Sequence, residues 1–368
     1  MGTSYKISLS SFLSITIMMV LGALLFSANQ AVADDDDYVV QLGYYNCDHM
    51  TAAPIAKEAG IFDELGLKVN VTGNGQVPQA MAAGRMDAGY IGIHGLMRAR
   101  LKGAPIFVSA NNHLGGSYYL VVSNDIKTPQ DLIGKKLSLG SNPTKRSASW
   151  VGFTAANNIP VDPAKYEVFA MADKDEFIAL KTHSLDGYLT CDPWGSMAEY
   201  DGCGWIMETF SKLPSTNDWG VCCVLAMSNE FGKEHPELAK KMIQAHVKAL
   251  EFIYTQPKRA AEIFAKAYSV PEEVALMTIF KKTVAEERTL NWEVDKGKIQ
   301  DEIDYNVSIG TLDAAPPLEE FVNVEFLNAA KVDDFKTFIK EKVDPIFPMG
   351  MTYEQWKAKA LEIHAQRG

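Results

Sequence analysis

A thiol, a carboxylate and an imidazole stand next to each other at Cys47, Asp48 and His49, directly after a run of strand-forming residues. Two further histidines and a cysteine follow other apolar segments, at His94, His113 and Cys191. Cys, His and Asp side chains from separate loops could bind a transition metal or a metal chelate. They could instead hydrogen-bond an organic ligand or each other, because the chain has no motif of closely spaced zinc ligands. We therefore predict ligand-binding residues here and assign no metal ligand and no cofactor.

A second candidate site is the loop of short polar side chains at residues 140–144 (GSNPT), which precedes a predicted helix at residues 145–157. Free backbone N–H groups at a helix N-terminus form a natural anion-binding site. Ser141, Asn142 and Thr144 could therefore bind an anion, and the adjacent Lys145 and Arg146 could add positive charge. Ser141 or Thr144 could also cap the helix without any ligand. The two roles are compatible, and both stay open.

Short apolar runs alternate with segments of helical periodicity, which predicts an α/β fold with mainly parallel sheets. In such sheets the loops after the carboxyl ends of the strands line the ligand crevice. These loops are predicted at residues 45–49, 92–95, 111–116, 140–144 and 191–194. We predict no catalytic residue. The predicted ligand-binding residues are Tyr45, Asn46, Cys47, Asp48, His49, His94, Asn112, His113, Ser141, Asn142, Thr144, Cys191, Asp192 and Trp194.

The order of the predicted strands divides the chain into two lobes. The chain leaves the first α/β unit near Tyr118 and returns to it near Val224, inside an apolar strand. This pattern predicts lobe 1 at residues 34–120 and 225–330, lobe 2 at residues 121–224, and C-terminal helices at residues 331–368 that brace lobe 1. A stripe of apolar residues at helical spacing includes His246, which we predict to be a packed or hydrogen-bonded core histidine.

The first 33 residues have the features of a secretion signal. Lys6 is followed by an apolar core, and Ala31-Val32-Ala33 supplies the small residues of a cleavage site. A retained membrane anchor is the alternative, but the apolar stretch is marginal for spanning a bilayer. We therefore predict cleavage after Ala33 and a soluble protein outside the cytoplasmic membrane. The formal net charge of −11 argues against a nucleic-acid partner, since phosphate binding needs clustered Lys and Arg.

All five cysteines lie beyond the predicted signal. An odd number in an oxidising compartment leaves at least one thiol without a partner inside the chain. Cys222 and Cys223 are neighbours, and adjacent cysteines seldom form an unstrained disulfide. Their apolar surroundings predict buried strand positions and thiols that are chemically inert.

Several segments, in order, resemble the periplasmic solute-binding proteins of nitrate, sulfonate, taurine and thiamine-precursor ABC importers. The resemblance covers residues 38–330. It rests on residues 54–62 (PIAKEAGIF), 66–69 (GLKV), 80–89 (AMAAGRMDAG), 185–187 (LDG), 192–194 (DPW), 228–231 (SNEF) and 235–237 (HPE). The family implies a two-lobe periplasmic binding protein fold of type II, with two crossing hinge strands and a ligand held by closure of the lobes.

The same resemblance implies a monomeric, periplasmic protein that binds a small molecule and docks on ABC permease subunits. The ligand would be an oxyanion, a sulfonate or taurine-like molecule, or a thiamine-precursor pyrimidine. Residues 47–49 depart from the donors that an oxyanion prefers, so a receptor for a transition metal or metal chelate is the first alternative. Cys222 and Cys223 are similar to part of a cysteine-rich stretch in pyrimidine synthases of thiamine biosynthesis, so such an enzyme is a lesser alternative.

Overall fold

The coordinates, a computed structural model, describe residue 2, residue 35 and residues 37–45, 47, 51–73, 76–139, 147–210, 212–213 and 215–367. The chain divides into a short unit at Met1–Tyr38 and a large compact unit at Val39–Gly368. The predicted secretion signal, apart from Gly2, and its cleavage site lie outside the described residues. Both sheets of the protein belong to the large unit.

The strands are rich in β-branched, aromatic and other apolar residues, and most are buried on both faces, as strands covered by helices on both sides are. They are Val39–Tyr44 (β1), Lys68–Gly73 (β2), Ala88–Gly92 (β3), Ile106–Leu114 (β4), Tyr118–Ser123 (β5), Lys136–Ser138 (β6), Glu167–Phe169 (β7), Gly187–Cys191 (β8), Gly204–Thr209 (β9) and Val221–Ser228 (β10).

Helices connect and cover the strands. The α-helices are Ala52–Glu58 (α1), Ile61–Glu64 (α2), Val77–Ala82 (α3), Ile93–Leu101 (α4), Ala148–Asn157 (α5), Asp173–Lys181 (α6), Trp194–Asp201 (α7), Asn229–Glu234 (α8), Pro236–Thr255 (α9), Pro257–Tyr268 (α10), Glu272–Phe280 (α11), Lys296–Ser308 (α12), Leu318–Phe321 (α13), Glu325–Ala329 (α14), Phe335–Phe338 (α15) and Tyr353–Arg367 (α16). Lys281–Ala285 and Ile339–Val343 are π-helical extensions.

The strands form two five-stranded sheets, in the orders β2-β1-β3-β10-β4 and β7-β6-β8-β5-β9. In the first sheet β10 runs antiparallel to both of its neighbours, and in the second sheet β5 does the same. The other strand pairs are parallel. The predicted fold class of two lobes, each with a mainly parallel sheet flanked by helices, is therefore confirmed.

The chain crosses between the sheets twice. Each crossing joins the edge strand of one sheet to the antiparallel strand of the other. Residues 115–117 join β4 to β5, and residues 210–220 join β9 to β10. The predicted boundaries after residues 120 and 224 fall inside β5 and β10, so both crossings lie earlier in the chain than predicted. Each apolar run continues as one strand because its residues are buried along its whole length.

Small residues in β1 and β3 let α3 approach the first sheet closely. A Cβ atom on Gly89 would lie 2.4 Å from Cγ1 of Val77, and one on Gly43 would lie 2.3 Å from Sδ of Met86. Both distances are far shorter than van der Waals contact. A Cβ at position 89 would collide with Val77 of α3, so glycine there lets the helix pack on β3, whereas a Cβ at position 43 would meet the flexible end of Met86, which follows the helix.

The apolar stripe of α9 is buried, and His246 lies on it as predicted. His246 Nε2 donates to the carbonyl oxygen of Asn111 at 2.7 Å, and Nδ1 accepts from the Tyr90 hydroxyl at 3.0 Å. Burial lowers the pKa of the imidazole to about 4, so the ring is neutral. The C-terminal helix α16 packs against α10 and α11. None of the helices in the described part of the chain is both long and apolar enough to cross a bilayer.

Candidate functional site

Among the described residues, the cleft between the two lobes includes a central cavity of 380 Å³, a small cavity of 250 Å³ and a large cavity of 1060 Å³. All three contact His94 of lobe 1 and Ala148 of lobe 2, so they are adjoining parts of one cleft. Small-molecule sites commonly have the size of the central cavity. The cleft is therefore the candidate site.

Lobe 1 contributes a positive charge to the cleft through Arg98 of α4, which lines the central and large cavities. His94 lies one helical turn before Arg98 and therefore on the same face of α4. Arg98 forms no ion pair with a carboxylate in the part of the chain that the structure describes. Burial lowers the pKa of the guanidinium, but arginine remains protonated in proteins. Its charge is therefore available to an anion in the cleft.

Lobe 2 places the N-terminus of α5 in the same two cavities. Ser147 is the N-cap residue, and its hydroxyl accepts a hydrogen bond from the backbone N–H of Trp150 at 3.2 Å. Ser147 and Ala148 line both cavities. A helix N-terminus carries the equivalent of about half a positive charge. Arg98 and α5 therefore bring positive potential into the cleft from different lobes.

The large cavity also has an acidic wall, formed by Asp173, Asp175 and Glu176 at the start of α6. The Tyr45 hydroxyl donates across the cleft to Oδ2 of Asp173 at 3.3 Å. Glu176 is buried, and Ser138 Oγ donates to its Oε1 at 2.5 Å. Burial raises the pKa of the Glu176 carboxyl to about 8, and the neighbouring aspartates add to this effect. Glu176 is therefore largely protonated at neutral pH.

A hydrogen-bonded group from α12 holds His94 in place. His94 Nε2 lies 3.2 Å from Oε2 of Glu302 and 3.0 Å from Nδ2 of Asn306. Glu302 is buried, whereas the His94 side chain is 40% exposed to the cleft. The imidazole is thus oriented from behind and remains accessible to a ligand.

A cluster of charged and hydroxyl side chains ties lobe 2 to the π-helical segment after α11. Glu286 Oε2 accepts from Ser117 N at 2.7 Å and from Ser117 Oγ at 3.2 Å, and its Oε1 accepts from the Tyr119 hydroxyl at 2.7 Å. Lys281 Nζ donates to Glu199 Oε2 at 2.8 Å and lies 5.1 Å from the centre of the Tyr119 ring. Because Ser117 belongs to the first crossing, this cluster fixes the hinge.

Of the predicted ligand-binding residues that the structure describes, four line the cleft. Tyr45 and Cys191 contact the central and large cavities, Cys47 contacts the central cavity, and His94 contacts all three. Asn46, Asp48, His49, Ser141, Asn142 and Thr144 lie outside the described residues, and their roles stay predictions.

The other four predicted residues do not line the three cavities. Residues 111–114 were predicted as part of a loop, but they continue β4, so Asn112 and His113 are fully buried in the first sheet. Asp192 is also buried, and its carboxylate accepts from Ser196 N and Ser196 Oγ, both at 2.8 Å. Asp192 therefore holds the first turn of α7.

Trp194 is the first residue of α7, and its ring lies 6.1 Å from that of Phe177 in the second lobe's core.

Sequence reasoning did not identify Arg98 or the acidic wall. The four-residue spacing between His94 and Arg98 was an available signal, because it places both on one face of a helix. Nothing in the sequence marks Asp173 and Glu176 as cleft residues. Acidic residues in the first turn of a helix commonly do no more than interact favourably with the helix dipole.

The described residues contain no group of three or more His, Cys, Asp or Glu side chains that could hold a metal ion. The predicted metal alternative drew partly on Asp48 and His49, which lie outside those residues. None of the five cysteines, all of which the structure describes, forms a disulfide. The cleft therefore offers thiols, an imidazole, a guanidinium and carboxylates as separate contacts.

Two five-stranded sheets with these strand orders, joined by two crossings and separated by a cleft, define a two-lobe α/β fold. Residues 34–268 match the family model described as the NMT1-like family, and the chain belongs to that family. It is 24% identical to the taurine-binding periplasmic protein of Escherichia coli (strain K12) over 185 residues, which cover 49% of this chain and 55% of that protein. The match thus spans about half of the curated relative.

Solved structures share the fold at low sequence identity. The ligand-binding component of an ABC-type import system from Staphylococcus aureus, with zinc bound, has a TM-score of 0.64 and 17% identity, covering 80% of this chain and 99% of that chain. The nitrate-binding protein NrtA from Synechocystis PCC 6803 has a TM-score of 0.64 and 15% identity, covering 88% and 98%. At these identities the likeness shows the fold.

Proposed function

We propose that this protein is the extracytoplasmic solute-binding component of an ABC importer and that it captures a small organic anion by closing its two lobes. The observation that carries the proposal is that Arg98 of lobe 1 and the N-terminus of α5 of lobe 2 line the same central cavity. An anion that contacts both would hold the lobes together, as hinge closure around a ligand requires. The names of the taurine-binding relative and the import-system neighbour support this class of function.

The two cationic elements recognise an anion in complementary ways. The planar guanidinium of Arg98 can donate two parallel hydrogen bonds to oxygens of a sulfonate or carboxylate. The first turn of α5 offers backbone N–H groups and the positive end of its dipole. Because Arg98 has no carboxylate partner among the described residues, the ligand does not have to displace one.

The acidic wall favours a ligand that also carries an ammonium group. Asp173 and Asp175 line the large cavity together with Arg98, so carboxylates and a guanidinium face the same cavity. An aminosulfonate such as taurine carries a negative group for Arg98 and a positive group for the carboxylates. Nitrate has no group that would use the acidic wall.

The protein would then act outside the cytoplasmic membrane, as a monomer that delivers its ligand to permease subunits and does not convert it. The support comes from the periplasmic, binding-protein names of the relatives. The lack of turnover is tested by recovering the ligand unchanged after prolonged incubation with the purified protein.

The test is a thermal-shift screen with taurine, ethanesulfonate, nitrate, an aminopyrimidine and zinc chloride. A ligand at a hundredfold excess over its Kd stabilises the folded protein by about 2.7 kcal/mol. We expect taurine to stabilise the protein more than ethanesulfonate, because only taurine carries the ammonium group. Stabilisation by the aminopyrimidine alone would contradict the anion proposal.

Arg98→Gln provides the direct test of the site, and Arg100→Gln is its matched control on the same helix. Arg100 pairs with Glu320 at 2.8 Å and is not among the residues that line the cavities. Losing a charge-assisted hydrogen bond costs about 1.5–3 kcal/mol, so Arg98→Gln should weaken sulfonate binding about 10- to 100-fold. Equal affinities for the two variants would place the anion elsewhere.

A further inference from the structure

A buried carboxyl oxygen at the wall of the large cavity has no hydrogen-bond partner among the described residues. It belongs to Glu176, which lines that cavity from the start of α6 and is only 1% exposed. Oε1 of Glu176 accepts from Ser138 Oγ, whereas Oε2 is the unpaired atom. Buried polar atoms of folded proteins are nearly always hydrogen-bonded, so an unpaired one calls for an explanation.

The Glu176 carboxyl is arranged to act as a hydrogen-bond donor. Burial raises its pKa to about 8, and the charges of Asp173 and Asp175 add to this effect, so the carboxyl is largely protonated at neutral pH. Because Ser138 donates to Oε1, that atom acts as the carbonyl oxygen and the proton lies on Oε2. The unpaired atom is therefore an O–H group without an acceptor. Glu176 lines the large cavity, so a bound solute can supply the acceptor.

The neighbours of Glu176 decide which kind of acceptor fits. Asp173 and Asp175 belong to the same helical turn and line the same cavity, so they would repel an anionic oxygen placed beside Glu176. Arg98 and the N-terminus of α5 attract the anionic group of the solute instead. A hydroxyl or carbonyl oxygen carries no net charge and can accept from Oε2 without this repulsion.

We propose that Glu176 is a ligand-binding residue that donates a hydrogen bond from Oε2 to a hydroxyl or carbonyl oxygen of the solute. The solute is then an organic anion with an uncharged oxygen group in addition to its anionic group. This inference rests on the proposed function, because it takes the anionic group to be bound by Arg98 and α5. Taurine satisfies the charges of the cleft but leaves the Glu176 donor unpaired.

Glu176 would thus determine specificity. A site built to hydrogen-bond an oxygen of its ligand discriminates against analogues that lack the oxygen, because the buried donor then stays unpaired. The discrimination concerns the uncharged part of the solute. It can therefore be measured separately from the binding of the anionic group.

Isothermal titration calorimetry on the purified full chain tests the inference with isosteric pairs. 2-Hydroxyethanesulfonate is compared with propanesulfonate, and 3-hydroxypropanesulfonate with butanesulfonate, so that a hydroxyl group replaces a methyl group in each pair. We expect the wild type to bind the hydroxyl member of at least one pair about tenfold more tightly. Equal or weaker binding of both hydroxyl members would overturn this inference alone. Binding of none of these sulfonates would overturn the proposed function and this inference with it.

Two variants test whether Glu176 is the donor. Glu176→Met removes the donor and keeps the length of the side chain, so the preference for the hydroxyl member should be lost. Glu176→Gln should retain it, because the amide nitrogen can donate in place of Oε2. The matched control is Glu167→Met, which changes an exposed residue of β7 that is not among those lining the three cavities.

The outcomes of the variants are decisive in both directions. A preference that survives in folded Glu176→Met, or one that is lost in folded Glu176→Gln, would overturn the inference. If either variant folds poorly, the comparison of the isosteric pairs on the wild type still decides it.

Discussion

Glu286 is the residue whose removal should most disturb the hinge. Its carboxylate accepts three hydrogen bonds, two from Ser117 and one from the Tyr119 hydroxyl. Glu286→Ala removes all three acceptors and takes one carboxylate away from the neighbourhood of Lys281. Hydrogen bonds to a charged group contribute about 1.5–3 kcal/mol each, but neighbouring bonds are not additive. We expect Glu286→Ala to lower the free energy of unfolding by about 3–5 kcal/mol, because three buried donor groups lose their acceptor and the individual costs of about 1–3 kcal/mol are not additive.

Glu286→Gln should have a smaller effect, about 1–2 kcal/mol. The amide oxygen can still accept from Ser117 N, and the amide nitrogen can donate to the Tyr119 hydroxyl, which rotates to accept. The matched control is Glu287→Ala, which changes an exposed neighbour and should leave the unfolding free energy within about 0.5 kcal/mol of wild type.

Urea unfolding, monitored by fluorescence and circular dichroism on the ligand-free protein, measures the series. The predicted order of stability is wild type and Glu287→Ala, then Glu286→Gln, then Glu286→Ala. If Glu286→Ala were no less stable than Glu287→Ala, the hydrogen bonds of Glu286 would contribute nothing to the free energy of unfolding. If Glu286→Gln were as unstable as Glu286→Ala, charge alone and not the hydrogen bonds would explain the effect.

Two further changes test the acidic wall and the first sheet. Because the Glu176 carboxyl has a folded pKa of about 8, above its usual 4.5, wild-type stability should fall as pH rises through that interval. Glu176→Gln removes this titration, so the urea midpoint of the variant should rise relative to that of the wild type between pH 5.5 and pH 8.5. A difference between the two midpoints that does not change with pH would refute the assignment. Gly89→Ala places a Cβ 2.4 Å from Val77 and should cost about 1–3 kcal/mol of stability. Gly92→Ala, whose Cβ meets nothing closer than 3.9 Å, is the control, and equal unfolding midpoints for the two would contradict the close approach.

The sequence predicted the elements whose apolar pattern is strong. The return of the chain was predicted near Val224 inside an apolar strand, and the strand is observed at Val221–Ser228, where its residues are buried almost without interruption. β9 was not predicted. Its residues, Gly204–Thr209, are mostly half-buried, and the strand exists because it pairs with β5 at the edge of the second sheet.

The end of β4 shows why polarity alone misplaces a boundary. Asn111, Asn112 and His113 have the polar character of a loop, yet they are buried strand residues. Tertiary contacts make this tolerable: Asn111 Nδ2 donates to the carbonyl oxygen of Asn291 at 2.6 Å, and the Asn111 carbonyl accepts from His246. Partners so distant in sequence cannot be identified from local pattern.

The candidate site was only partly predictable, because local pattern identifies the loops but not the groups that face them. Loops after β1 and β8 were expected at the cleft, and Tyr45, Cys47 and Cys191 do line it. The charge pattern of the cleft was not predictable, because it depends on how α4 of one lobe faces α5 and α6 of the other. Chain spacing gives no information about that packing.

The most direct test of the account is where a tetrahedral oxyanion binds in the crystal. Selenate is a stand-in for a sulfonate head group, and selenium is located by anomalous scattering. We predict one cleft peak whose oxygens lie within about 3 Å of both the Arg98 guanidinium and the N–H groups of the first turn of α5. A selenium peak only outside the cleft, or a cleft peak that contacts neither Arg98 nor α5, would contradict the proposal that the two lobes close on an anion.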